Sequence, residues 1–417
     1  MNIQNRLLNL LVCLLVALPA MAVSPQDAVD RFVAGPGVDP DKTAVLIREL
    51  STGKTLGAWN ETLPLIPASI QKSVTTATLL GMLGKDWRFE TDICVDGDVR
   101  HGVLDGNLIT VGSGDPTVNS AKQPSSPDII GEVVSALRKL GIDSIAGGVI
   151  VDGEVFAGEP VPSSWLSGDL PHSYGTGVHG FNFQNNASGK RSVADPASVF
   201  LSRLKGALRS GGIRMGGVPV RQGDRKRIFT HRSATLDEIM RSCMMRSDNL
   251  YAEALFRTIP VAKKERSTFA SAAKIETDYW RKRKTDLDGV EIIDGSGLSR
   301  SNRTTARFMS QVLRKMSGDP YYASFFPLAG CEGTLKNLLA GTPLQEYVAM
   351  KTGSMSGIQC YAGYMLDEDY APTHSIVVIV NGMRGSRASV RQGVERMLLS
   401  IFSPQQDEPE NDRQDNE

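Results

Sequence analysis

The sequence is poor in the residues that would mark a metalloprotein, a nucleic-acid binder or a membrane span. It has only five histidines among 417 residues, and none stands at the HExxH spacing of a zinc peptidase. Nor does any local signature of a Ser-His-Asp triad surround them. Lys plus Arg and Asp plus Glu balance at 46 each, so the chain lacks the basic excess that phosphates would select; no nucleic-acid partner is expected. Long apolar runs are absent except one, "LLNLLVCLLVALPA", which follows Arg6 and ends at the small-x-small site Ala20-Met21-Ala22. That run is too short to span a bilayer, and its flanks are those of a cleavable secretory leader over residues 1–22. Cys13 sits inside the run without the small residues of a lipoprotein signal. No later segment is apolar enough to cross a membrane, so the exported chain is expected to carry no transmembrane anchor.

Cysteine is scarce too. Four remain after the leader: Cys94, Cys243, Cys331 and Cys360. In an oxidising compartment they allow up to two bridges in three pairings. Cys331–Cys360 is the favoured pair, since both fall near one candidate site, with buried free thiols as an even alternative.

What is present has a clear order. The length favours two or three domains. "SPQDAVDRFVAG" reads as a short helix capped by Ser24 and ended by Gly35. "TAVLIREL" and "TLGAWN" read as two strands of a hairpin joined by "STGK". From about residue 85 to 230 the texture changes to short β-branched runs broken by Gly and Asp, with amphipathic helices at "PDIIGEVVSALRKLGI" and "PASVFLSRLKGALRSGG". Helical texture returns at "ATLDEIMRSCMMRSDNLYAEALFRTI". The chain then closes with "YVAMKTGSMSGIQCYAGYML", the strand "HSIVVIVNG" and the helix "SVRQGVERMLLSIF". The fold expected is α/β of the α+β kind: a mostly antiparallel sheet flanked by helices, built from both chain ends (23–84 and 231–404) around an inserted α+β module (85–230). The polar, acidic residues 405–417 are expected to be disordered.

Ser-x-x-Lys occurs four times: Ser51–Lys54, Ser69–Lys72, Ser202–Lys205 and Ser271–Lys274. The first lies in the hairpin turn, and the third and fourth on polar surface. Ser69 differs in setting. Pro67 is placed to start a helix, and Val74, Ala77, Leu80 and Leu83 mark that helix as buried. Neighbours at i and i+3 approach closely enough for an amine and a hydroxyl to bond. A helix N-terminus favours an incipient alkoxide, and burial favours a neutral lysine able to act as base.

Two further motifs occur once each, Ser247-Asp248-Asn249 as the one Ser-x-Asn and Lys351-Thr352-Gly353 as the one Lys-Thr-Gly. Alone, "SDN" reads as a helix cap and "KTGS" as a turn with Gly353 relieving the backbone. Ser-x-x-Lys, Ser-Asp-Asn and Lys-Thr-Gly together, in this order, are the set of the serine penicillin-recognising enzymes. "GKT" at 53–55 is no phosphate loop, because Arg48 stands where glycine is required.

With these motifs the sequence resembles the D-alanyl-D-alanine carboxypeptidase/endopeptidase family of low-molecular-mass penicillin-binding proteins, the class C or peptidase S13 group. The similar stretches include "PASIQKSVTTATLLGMLGKDWRFET", "GNLITVGSGDPT", "SDNLYAEALFRTI", "DGSGLSRSNRTTA", "GCEGTLKN" and "KTGSMSGIQCYAGY". The resemblance implies a transpeptidase/β-lactamase-like catalytic domain and a periplasmic serine DD-peptidase acting on peptidoglycan stem peptides, without a cofactor or metal and with β-lactams as covalent inhibitors. It implies Ser69 as nucleophile, Lys72 as base, Ser247 as proton relay and Asn249 as a ligand of the acyl amide that also steadies Lys72. Lys351, Thr352, Gly353, Ser354 and Asp248 are the implied substrate-binding residues. Lys351 is expected to lower the pKa of Lys72, and the N–H groups of Ser69 and Ser354 to form the oxyanion hole. Ser69 and Ser247 are 178 positions apart, wide for a class A β-lactamase and short for a three-domain member, so one accessory subdomain is expected to be reduced or missing. A serine β-lactamase or esterase on the same fold, and a non-catalytic wall-binding protein, stand as alternatives. The choice between carboxypeptidase and endopeptidase, and the oligomeric state (a homo-oligomer included), stay open.

Overall fold

The computed structural model describes residues 24–220 and 223–403. The expected leader and acidic tail lie outside the described residues.

Helix α1 (Pro25–Val33) starts in a capping box: Ser24 Oγ accepts from Asp27 N at 3.1 Å, and the Asp27 carboxylate accepts from Ser24 N. The hairpin follows as β1 (Thr43–Glu49) and β2 (Thr55–Trp59). From the other end of the chain come β3 (Val348–Met355), β4 (Ile358–Leu366) and β5 (Pro372–Val380). Together they form one antiparallel sheet in the order β3-β4-β5-β1-β2. Strand alternation divides its side chains between two cores. Ala44, Leu46, Ala362, Val377 and Ile379 face one layer. That layer contains α2 (Gln71–Leu83), α3 (Leu236–Arg246), α4 (Asn249–Ala262), α5 (Phe269–Lys282) and α6 (Ala306–Met316). Val45, Ile47, Ile376 and Val378 face α1 and the last helix, α7 (Arg387–Phe402). The sheet is therefore covered on both sides, and β4 is buried along nearly its whole length.

Residues between Ile93 and Phe229 have a core of their own. One four-stranded sheet orders 226–232, 90–95, 108–111 and 149–152; a smaller one orders 214–215, 144–145, 103–105 and 98–100. Helices Ile129–Lys139 and Pro196–Ser210 cover them with Val133, Leu137, Phe200 and Leu204. The segment after strand 149–152 leaves that core and docks on the helical layer. Phe156 and Val178 pack on Leu250 and Ala254 of α4, and Arg257 of α4 donates to the carbonyls of Ala157 and Ser267 at 2.8 Å.

The helical stretch 234–259 is two helices, α3 and α4, meeting where Ser247 turns left-handed at φ 56° and Asp248 caps α4, as "SDN" reads alone. Two expectations change here. "KTGS" lies on β3 and is not a turn. No disulfide joins the described cysteines: Cys360 is buried, its thiol 3.7 Å from the Ile66 carbonyl, whereas Cys331 is exposed beside Glu346.

One buried acid lies outside any motif. Glu276 on α5 is fully buried, with the Thr78 hydroxyl as the one group that favours its charged form. Burial raises its carboxyl from the ordinary 4.5 to about 8. Through that window the folded chain keeps a proton that the unfolded chain has released, so stability falls as pH rises. Glu276→Gln is expected to flatten this slope, which urea midpoints at about pH 5 and about pH 8.5 would check.

Candidate active site

Ser69 is the middle residue of a 3-10 turn, Ala68–Ile70, that leads directly into α2. Pro67 precedes this turn rather than the α-helix itself, and Ala68 is held at a left-handed φ of 47°. For a residue with a Cβ that conformation is strained, so the surrounding packing must impose it. The apolar residues of α2 then bury the helix from Gln71 through Leu80, Lys72 included.

Lys72 Nζ has three oxygens around it: Ser69 Oγ at 3.0 Å, Asn249 Oδ1 at 2.7 Å and the Ser296 carbonyl at 2.7 Å. A neutral amine has two N–H groups and one lone pair. Asn249 and Ser296 can accept the two hydrogens, which leaves the lone pair facing the Ser69 hydroxyl. Burial lowers the Lys72 pKa, while Cys243, Glu253, Asp294 and Asp248 pull it back up. Lys351 is held well below the ordinary lysine range, by burial first and then by the charge of Lys72.

Ser247 occupies the left-handed corner between α3 and α4, where Lys351 Nζ donates to its Oγ at 2.8 Å. Lys351 is wholly buried, and its other partner is the Thr352 carbonyl at 2.7 Å. It therefore reaches the site through Ser247. In Asp248, Oδ1 caps α4 by accepting from Tyr251 N and Oδ2 pairs with Lys122. Asn249 reaches Lys72 with its oxygen and donates through Nδ2 to the Tyr174 carbonyl at 2.8 Å.

On β3, Thr352 Oγ1 donates to Thr334 Oγ1 and Ser354 Oγ to Gln359 Oε1. Gly353 is packed tightly against the nucleophile turn: a Cβ there would lie 2.8 Å from the Pro67 carbonyl and 3.0 Å from Ser69 N. Its absence lets the strand edge close on the Ser69 turn. Gly353→Ala is expected to push the two apart, slowing penicillin labelling at least tenfold for a stability loss of about 1–3 kcal/mol; labelling kinetics and a melting curve measure both.

Ser69, Ser247, Asn249 and Ser354 share a cleft of about 430 Å³ whose walls include Leu166, Tyr174, Arg300 and Arg387. A larger hollow, about 790 Å³ between Trp87, Asp152 and Val261, contains none of the motif residues.

Several members of the site carry no motif. Glu253 accepts from Ser296 N at 2.8 Å and Gly295 N at 3.0 Å, and so aims the carbonyl that holds Lys72. Burial, then Asp294, raises its pKa. Asp294 fixes the same loop through Gly297 N, Ser299 N and the Trp165 indole. The one available sequence signal was the dense run "DGSGLS", which spacing alone leaves as a turn.

The sequence matches the D-Ala-D-Ala carboxypeptidase 3 (S13) family over residues 26–190 and 182–398. A carboxypeptidase of Mycobacterium tuberculosis is 27% identical over 372 residues, covering 83% of this chain and 78% of the relative. A D-alanyl-D-alanine carboxypeptidase of an Actinomadura species is 24% identical over 468 residues, covering 91% and 85%. Among solved structures, penicillin-binding protein 4 of Haemophilus influenzae superposes with a TM-score of 0.78 at 21% identity, covering 90% of this chain and all of that one. That protein has also been solved complexed with a β-lactam.

Proposed function

The chain belongs to the D-Ala-D-Ala carboxypeptidase 3 (S13) family, and from that premise we propose that it is a serine DD-peptidase in which Ser69 attacks D-alanyl bonds of peptidoglycan stem peptides. The observation that carries this reading is the setting of Lys72, buried, with a lone-pair direction left for the Ser69 hydroxyl. Ser69 Oγ bonds to the D-alanyl carbonyl carbon while its proton passes to Lys72 Nζ. The N–H groups of Ser69 and Ser354 receive the developing oxyanion; the close approach of Gly353 to Ser69 N supports that pairing. The C–N bond breaks as Ser247, held by Lys351, gives its hydroxyl proton to the departing amine and takes up the proton carried by Lys72. Water then attacks the ester carbonyl, losing a proton to Lys72, which returns it to Ser69 Oγ as the acyl C–O bond breaks. Asn249 binds the acyl amide, and Thr352 and Ser354 present hydroxyls to the terminal carboxylate. Such a reaction belongs outside the cytoplasmic membrane, in keeping with the expected leader.

β-Lactams acylate the same serine and leave slowly. Of the acids whose charge reaches Lys72, Glu253 and Asp294 are committed to backbone N–H groups and Asp248 to Tyr251 N and Lys122, so none is free to activate water. Incubation with purified muropeptides tests the reading. Free D-alanine or resolved cross-links are expected, and neither product at any pH would overturn it. Rapid repeated turnover of a penicillin would instead establish the β-lactamase alternative.

A further inference from the structure

The Ser247–Asn249 corner is not held by its own helices alone. A turn of the inserted module, Ser120–Lys122, reaches across and ties to both sides of it. On the α3 side, Ser242 Oγ donates to the Lys122 carbonyl at 3.1 Å. On the α4 side, Ser120 Oγ and Tyr251 OH lie 2.8 Å apart, and the Lys122 ammonium pairs with Asp248. Asp248 is almost completely buried, its side chain 6% exposed, whereas Lys122 keeps 39% exposure. Asp248 is flanked by Ser247, which is in a conformation unfavourable for a residue with a Cβ, and by Asn249, which contacts the Lys72 amine.

We propose that Lys122 is a positioning residue for the reaction: by pairing with Asp248 it holds Ser247 and Asn249 in register with Lys72, so the inserted module completes the catalytic corner. The proposal rests on the reading of Ser69 as the acylated nucleophile. Without Lys122, a nearly buried carboxylate loses its counter-ion and is driven to rearrange toward water. Any such movement carries Ser247 and Asn249 with it, since they are its chain neighbours. Charge follows the same path. Asp248 faces the Lys72 amine together with Cys243, Glu253 and Asp294, and Lys351 lies beside them as the second buried amine. An unneutralised Asp248 attracts the Lys72 proton more strongly.

Lys122→Met keeps the length of the side chain and removes its charge. It is expected to slow acylation of Ser69 by a chromogenic penicillin on the order of tenfold and to move the acidic limb of the pH–rate profile upward. Lys122→Arg is expected to restore both. In an Asp248→Asn background, Lys122→Met should have no further effect, because the partner through which it acts is gone. A loss of stability alone predicts a lower melting temperature with unchanged rate and unchanged limb. That result, or an equal rate loss in the Asp248→Asn background, would overturn the proposal. If the wild-type chain is not acylated at Ser69 at all, the proposed function itself has failed, and the two failures are distinguishable in one experiment.

Discussion

Ser69→Ala is expected to abolish covalent penicillin labelling and D-alanine release together, with the fold intact. The substitution removes one oxygen from a half-buried turn, and the turn's backbone is shaped by Ala68, the Gly353 approach and the burial of Ile70, not by the serine hydroxyl. Without Oγ no ester can form, so residual hydrolysis should lie at least about 10⁴-fold below wild type, the scale on which loss of a nucleophile is felt. Intact-mass measurement after exposure to penicillin reads the adduct directly. An adduct on the Ser69→Ala protein would place the nucleophile elsewhere in the chain.

Lys72→Met should preserve packing and remove the base. Methionine occupies nearly the same buried length, but it can neither accept the Ser69 proton nor bond Asn249 and the Ser296 carbonyl. Acylation is expected to fall by about 10²–10⁴-fold, the range ascribed to general-base assistance. The pH dependence gives the sharper test. Rate should rise with pH as Lys72 loses its proton; because burial holds its pKa down, that limb should lie below the ordinary lysine value of 10.5. In Lys72→Met the limb should vanish. Lys72→Arg keeps a cation that does not give up its proton, so it should be as slow as the methionine variant; an active arginine variant would rule out the base role.

The parts of the fold that could be read in advance were those where one local force decides. Ser24 and Asp27 cap a helix through their own side chains. The alternation of "TAVLIREL" sorts Ala44 and Leu46 from Val45 and Ile47 whatever lies on either face. The site motifs were legible because each residue type is needed for its chemistry, and Ser69 stood out from three other Ser-x-x-Lys matches by the apolar residues that follow it. Those three proved to be surface features: Lys274, for instance, pairs with Asp278 one turn along its own helix. The strand position of Lys-Thr-Gly was missed because glycine signals a turn unless its close neighbour is known, and that neighbour, the Pro67–Ser69 turn, lies far away in sequence.

The chain's sequence by itself determined the order of elements, the two apolar faces of the main sheet and which Ser-x-x-Lys pair sits on a buried helix, since these depend on residue type and periodicity. Tertiary structure alone decided how Lys72 is tuned and which polar groups line the cleft. Burial, the Ser296 carbonyl aimed by Glu253, and the pairing of Asp248 with Lys122 all arise between residues far apart in the chain. Electrostatics in a dry interior depend on distances of a few ångströms, and those distances exist only once the sheet, the helical layer and the inserted module have packed.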